Sequence, residues 1–310
     1  AAGQQATLNA VRAVTTQILG RLESVRQGKS AGNSLTDRYA WVRTFGSVAD
    51  QDNQGSTGGF RSRSHGLVVG ADALVNPDWR AGLAFTYART DLDSLGASAP
   101  GQLDVDTYSL AHYGQYTLDA RTEVNYQLDV GLNQNKGKRF INLTSQQASS
   151  DYDSVNLHGG VGVSRQWQLG EASTVAPGVR LDYSRVRSQA YTETGAGNLS
   201  LNVGSARQEE LVLSAELRGE HALTTHTRLN GFVSAGYNFS DRAASTTSAF
   251  VGGGTSFAAA GLTSAPWLYR AGFGLLHSLG NLEYNARFDL EHRDSGYLNQ
   301  TLSFRVRWAF

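Results

Sequence analysis

The last ten residues, Thr301-Leu302-Ser303-Phe304-Arg305-Val306-Arg307-Trp308-Ala309-Phe310, alternate without a break. Leu302, Phe304, Val306, Trp308 and Phe310 occupy one face of an extended chain, and Thr301, Ser303, Arg305, Arg307 and Ala309 occupy the other. A period of two identifies a β-strand whose faces meet different surroundings. The segment before it repeats the pattern, with Leu282, Tyr284, Ala286, Phe288 and Leu290 set against Glu283, Asn285, Arg287, Asp289 and Glu291. Farther upstream, Val124, Tyr126, Leu128, Val130 and Leu132 alternate with Glu123, Asn125, Gln127, Asp129 and Gly131. Leu211, Leu213, Ala215 and Leu217 do so with Glu210, Ser214, Glu216 and Arg218. The period holds from residue 38 to Phe310 and resolves into about twelve segments of roughly ten residues, the length of a tilted membrane strand. Two stretches are less regular. His112 falls on the apolar face of its strand, and the faces around Trp41 and Arg43 stay unassigned.

Short connections are expected near Asn76-Pro77-Asp78, Asp119-Ala120, Gly170-Glu171, Thr224-Thr225 and Gly280-Asn281. Longer ones are expected near residues 51–61, 92–102, 137–150, 190–205 and 241–264. Short turns at one end and long loops at the other are the habit of outer-membrane barrels, and an even strand number returns the chain to its starting side. Alternation alone also permits a soluble sandwich or barrel with the apolar face inward. Three features favour the inverted arrangement. The polar faces carry many ionised groups of both signs, and the apolar faces are Leu, Val, Ala, Phe and Tyr. Aromatics gather towards strand ends, at Trp79, Trp167, Trp267 with Tyr269, and Trp308 with Phe310, as interfacial girdles do. Closure also removes the edges that a long series of strands would expose.

Composition agrees. The 27 basic and 27 acidic residues cancel, so nothing points to nucleic acid. The 310 residues contain no cysteine, which excludes disulfides and thiolate-bound metal, and no methionine, which leads us to expect a piece of a longer chain. No stretch approaches the ~20 apolar residues of a membrane helix, whereas alternating strands average to mild polarity. The 7 histidines are scattered; His221 and His226 flank a turn, so no metal site is expected, and no cofactor is implied.

The N-terminus reads differently. From Ala6 to Gln27, Leu8, Val11, Val14, Ile18, Leu22 and Val25 recur at steps of three or four, and Gly28 stands where a helix cap belongs. Such a helix is roughly 33 Å long, close to one bilayer hydrocarbon thickness. Its opposite face carries Arg12, Gln17, Arg21, Glu23 and Arg26. The expected organisation is therefore a helical segment over 1–28, a polar linker over 29–37, and an all-β, transmembrane antiparallel barrel over 38–310.

These features resemble the C-terminal translocator β-domain of monomeric, type V autotransporters. Trp41-Val42-Arg43-Thr44-Phe45-Gly46 looks like that family's first strand, His65-Gly66-Leu67-Val68-Val69-Gly70-Ala71-Asp72 its second, and Arg80-Ala81-Gly82-Leu83-Ala84-Phe85-Thr86-Tyr87 its third. The terminal Leu302-x-Phe304-x-Val306-x-Trp308-x-Phe310 resembles the signal read by the outer-membrane barrel assembly machinery, which many such barrels share. The resemblance implies a monomer in the outer membrane of a Gram-negative bacterium. It also implies that the helix lies in the pore and that an N-terminal passenger is secreted to the cell surface. The implied partners are that passenger, outer-membrane lipid and the assembly machinery.

Within such a pore, Glu123, Asp129, Glu216, Glu220, Glu283 and Glu291 share inward registers, as do Arg305 and Arg307. They either pair with one another in a wet lumen or dock the helix through Arg12, Arg21 and Arg26. Some members of the family release the passenger by cyclisation of a helix asparagine onto its own carbonyl. Asn9-Ala10 is the one place in the helix where that chemistry fits, and the plainer reading is that Asn9 caps the helix start. The double asparagine of the self-cleaving subgroup is missing. An outer-membrane enzyme or porin with an incidental helix is the alternative function.

Overall fold

Twelve long strands close into a ring with its apolar side outward. The computed structural model describes residues 12, 15–18, 38–55, 57–95, 100–240, 245–263 and 265–310. Its strands are β1 (Arg38–Gln51), β2 (Phe60–Asn76), β3 (Trp79–Ser94), β4 (Gly101–Thr117), β5 (Thr122–Ile141), β6 (Gln146–Arg165), β7 (Trp167–Leu169), β8 (Ser173–Ser188) and β9 (Tyr191–Thr192). They continue with β10 (Leu201–Val203), β11 (Ala206–Ala222), β12 (Thr227–Asn238), β13 (Ser245–Phe250), β14 (Phe257–Ala260), β15 (Trp267–Leu279), β16 (Leu282–Arg293) and β17 (Tyr297–Ala309). Thirteen strands share one antiparallel sheet, in which β7 is a three-residue flap on β8. The other twelve are neighbours in chain order, and β1 meets β17 from Tyr39↔Ala309 to Gln51↔Tyr297, so no edge is left free.

The terminal strand shows why the ring is inverted. Leu302 is 64% exposed and Trp308 53%, whereas Arg305 is fully buried at 0%. A soluble sheet would bury the leucine and the tryptophan; here they meet lipid and the arginine lines the lumen. Trp79, Trp167 and Trp308 lie at the end of the barrel that carries the short turns, and Trp267 and Tyr269 at the opposite end.

Local chemistry sets the short turns. The Asn76 side-chain oxygen accepts the backbone N–H groups of Asp78 and Trp79 at 3.0 and 2.9 Å. The Asp119 carboxylate accepts those of Arg121 and Thr122, both at 2.8 Å, and the Arg121 N–H chiefly holds its carboxyl below the usual range. Thr224 closes its turn in the same way through His226 and Thr227. Gly170 and Gly280 supply the positive φ angles, 70° and 58°, that their turns require.

Two expectations need correction. The strands run from 12 to 20 residues, not roughly ten. The long connection expected at 137–150 is absent: β5 and β6 remain paired to Ile141↔Gln146 and leave only a turn at 142–145. Outside the bilayer both faces of a strand meet water, so the apolar alternation fades while the backbone ladder continues. The remaining loop-end connection, between β16 and β17, is a tight turn at 294–296 with Gly296 at φ 78°. Elsewhere the loop end is elaborate, and β14, β13, β10 and β9 form a second, four-stranded sheet there.

Both irregular stretches resolve. Trp41, Arg43 and Phe45 point inward and are buried. Trp41 stands opposite Gly70 and Phe45 opposite Gly66. A Cβ at Gly70 would come within 2.5 Å of the indole, so the glycine makes room for the ring. His112 does face outward. Its Nε2 lies 3.1 Å from the Tyr126 hydroxyl, which also accepts the Trp79 indole N–H at 3.2 Å, and its Nδ1 lies 3.1 Å from the Gly82 carbonyl oxygen. The polar ring is thus satisfied within the turn-end aromatic girdle.

Candidate functional site in the lumen

Inward-facing side chains divide the lumen into two unlike walls. One wall, from β1 to β4, presents Trp41, Phe45, Val68, Ala84, Ala88, Ala111 and Tyr113. Beneath it the Trp41 indole N–H donates to the Tyr113 hydroxyl at 2.7 Å, which donates to Asp72 at 2.9 Å; Arg80 donates to the same carboxylate at 3.0 Å. The other wall is ionic. Glu283 accepts from Arg305 at 2.9 Å and from Arg307 at 2.6 Å. Asp182 accepts from Arg180 Nε, and both ring nitrogens of His158 face carboxylates, Asp129 at 2.5 Å and Asp182 at 3.1 Å. A Cβ at Gly160 would lie 2.2 Å from both Arg180 and Asp182, so this glycine opens space for the cluster.

A helical segment occupies the space between the walls. Ile18 is completely buried against the apolar wall. The Arg43 guanidinium donates to the Gln17 carbonyl oxygen at 2.5 Å. On the ionic side Arg12 Nε donates to Glu210 at 2.9 Å, and Arg293 donates to the same carboxylate at 3.2 Å. Glu291 adjoins them, accepting from Arg293 Nε at 3.0 Å. The remaining cavity here is about 40 Å³, bordered by Arg12, Thr15, Thr16, His158, Asp182, Glu210 and Glu291 among others. It has room for a few waters.

Glu123, Asp129, Glu216, Glu220, Glu283, Glu291, Arg305 and Arg307 lie on the same strand faces as the buried lumen residues, and their partners were not readable from the sequence. Asp129 meets His158, Glu216 meets Arg218 at 2.5 Å, Glu220 lies 3.5 Å from Arg228, and Glu291 sits between Arg293 and Arg270. Glu123 is buried on β5. The carboxylate that meets Arg12 is Glu210, which the alternation put on a polar face and the candidate set left out. Asn9, Arg21, Glu23, Arg26 and the linker at 29–37 lie outside the described residues.

The loop end has its own closure. Ala49, Phe60, Leu92, Leu103, Val105 and Tyr297 form an inward apolar collar, and Leu262 from the β14–β15 connection is buried within it. Gln54 clasps the same connection, its amide donating to the Thr263 carbonyl and accepting from the Thr263 N–H, each at 2.9 Å.

Comparison with known proteins follows this geometry. A family model described as the autotransporter β-domain matches residues 40–289. Outer membrane protein B of Rickettsia conorii is 26% identical over 202 residues, which cover 61% of this chain and 12% of that protein. The chain therefore spans a small part of the curated relatives it matches. Among solved structures, the translocator domain of autotransporter NalP from Neisseria meningitidis superposes with a TM-score of 0.77 at 17% identity, covering 97% of this chain and 98% of that one. The β domain of the Bordetella autotransporter BrkA gives 0.61 at 15% identity, covering 88% and 100%.

Proposed function

Because the chain belongs to the autotransporter β-domain family, we propose that its barrel secretes an N-terminal passenger across the outer membrane and afterwards holds the connecting helix as a plug. The observation that carries this reading is a helix gripped from both sides of a closed barrel, by Ile18 on the apolar wall and Arg12 with Glu210 on the ionic one. A porin has no use for such a grip, and a barrel enzyme needs an open approach to its reacting groups. In the reading we favour, residues 1–28 supply the helix, 29–37 the linker and 38–310 the monomeric barrel. Leu302, Phe304, Val306, Trp308 and Phe310 would meet the barrel assembly machinery before they meet lipid. Display of an epitope-tagged passenger fused before residue 1 tests the function. The tag should be accessible to antibody on intact cells, and replacing Trp308 and Phe310 together should abolish both assembly and display. A correctly inserted barrel that leaves the tag in the periplasm overturns the reading.

Self-cleavage after Asn9 is kept as a separate proposal. The chemistry needs a carboxyl group near the asparagine in water-poor surroundings. Arg12, three residues after Asn9 in the chain, meets Glu210, so Glu210 joins Glu123, Asp129 and Glu216 as a candidate for that carboxyl group. Mass measurement of a passenger fusion decides it: wild type should lose the passenger while Asn9→Ala keeps it, and an intact wild type ends the idea without touching secretion.

A further inference from the structure

The outer surface carries a charge imbalance at one place. Just beyond the aliphatic belt at the loop end, outward charges mostly stand opposite partners of the other sign. Arg63 faces Asp91 and Arg61 faces Asp93 across β2 and β3, and Lys136 on β5 has Asp104 on one side and Asp151 on the other. Across β8 and β11 this order breaks. Arg187 stands directly opposite Arg207, and Arg185 opposite Glu209. On their other side Arg187 and Arg185 meet only Val155 and Leu157 of β6. Like charges placed directly across a ladder are destabilising.

One carboxylate cannot serve three guanidinium groups. Glu209 already accepts from the Tyr183 hydroxyl at 2.8 Å and lies 3.1 Å from Arg207 and 3.7 Å from Arg185. Arg187 has no ion pair with any described residue. A second observation lies beside this cluster. A cavity of about 360 Å³ is lined by Arg207, Gln208, Glu209, Phe239 and Ser240. Phe239 is 57% exposed and packs edge-on against Tyr237 at 5.0 Å, which packs in turn on Trp267 at 5.1 Å. Cationic heads therefore stand next to an aromatic groove, at the height where the belt gives way to the outer interface.

We propose that Arg185, Arg187 and Arg207 clamp the phosphate groups of a phosphorylated outer-leaflet lipid, with an acyl chain lying against Phe239 and Tyr237. Guanidinium forks match phosphate oxygens pairwise, and a phosphate between Arg187 and Arg207 would turn their repulsion into attraction. The proposal rests on the loop end facing the cell exterior. Binding is nevertheless measured on purified protein, so its failure is separable from a failure of secretion.

The full chain in detergent micelles is titrated by native mass spectrometry with bisphosphorylated lipid A, with its dephosphorylated form, and with inorganic pyrophosphate. Wild type should prefer the phosphorylated lipid, and the double variant R187Q/R207Q should bind it about tenfold more weakly or worse, the scale of a lost charge-assisted hydrogen bond. The charge-matched variant R61Q/R63Q should bind as wild type does. Strand content by circular dichroism establishes that each variant is folded before it is compared. Equal losses in both double variants would reduce the effect to net charge, and equal affinity for the dephosphorylated lipid would remove the phosphate. Displacement by micromolar pyrophosphate would assign the site to free phosphate. Each of these three results overturns the clamp.

Discussion

At the scale of single residues, the lumen is held by charges that are buried and paired. Arg43 and Arg305 face each other across β1 and β17, both within 1% of complete burial, and they avoid conflict by using different acceptors. Arg43 takes the Gln17 carbonyl, and Arg305 takes Glu283, which also holds Arg307. Glu283→Gln keeps the shape but removes the one carboxylate those two arginines share. Breaking a buried pair costs about 3–5 kcal/mol, so the variant's urea midpoint in lipid vesicles should fall well below wild type. An unchanged midpoint would mean that lumen water does the neutralising. On the other face of the barrel, Val306→Arg should cost about 2–4 kcal/mol if the residue lies near the bilayer midplane, while Ser303→Ala should change little. Equal sensitivity at the two positions would refute the face assignment. Faces of this kind could be read from the sequence because side-chain period is local. The pairing of Arg12 with Glu210 could not, because it depends on ring closure and helix depth over a separation of 198 residues.

At the scale of elements, two apolar clusters lie one after the other along the lumen. Ile18 of the helical segment lies against the apolar wall in its middle, and Leu262 lies in the apolar collar at the loop end. Deleting residues 1–28 should raise single-channel conductance only in part. Adding Leu262→Asp, which puts a charge into a collar of aliphatic and aromatic side chains, should raise it further. If the helix deletion alone conducts as much as the combination, Leu262 is no barrier; if neither changes conductance, the helix is no plug. The sequence offered the helix through its steps of three and four but gave no sign of the collar. Leu262 lies in a Gly- and Ser-rich connection that reads as solvent-exposed, and its burial arises only when β1, β2, β3, β4 and β17 bring their ends together. The same limit applies to residues 137–150. Their polar composition reads as a loop, yet β5 and β6 stay in register because backbone hydrogen bonds need no apolar face.

At the scale of the whole molecule, orientation follows from parity and from where the chain's elaboration lies. Twelve strands bring both ends of the barrel to the same rim, where the Phe310 N–H donates to the Arg38 carbonyl oxygen at 3.2 Å. That rim carries the turns capped by Asn76, Asp119 and Thr224; the opposite rim carries the second sheet and the connection at 251–256. A barrel that assembles from the periplasm keeps the ends of its chain on the side from which it inserts, and the five short turns share the rim that carries those ends. We therefore expect the turns in the periplasm and the second sheet at the cell surface. Protease added to intact cells should cut between residues 251 and 256, where Gly253 and Gly254 hold open, positive-φ backbone, and should leave 119–121 and 280–281 whole until the outer membrane is permeabilised. An antibody epitope inserted at Leu143, which is 95% exposed at the tip of the β5–β6 hairpin, should follow the same side. Cleavage first at the short turns would reverse the barrel. It would also carry the arginines of β8 and β11 to the inner leaflet, and a passenger tethered at the N-terminus would then begin its route on the wrong side of the membrane.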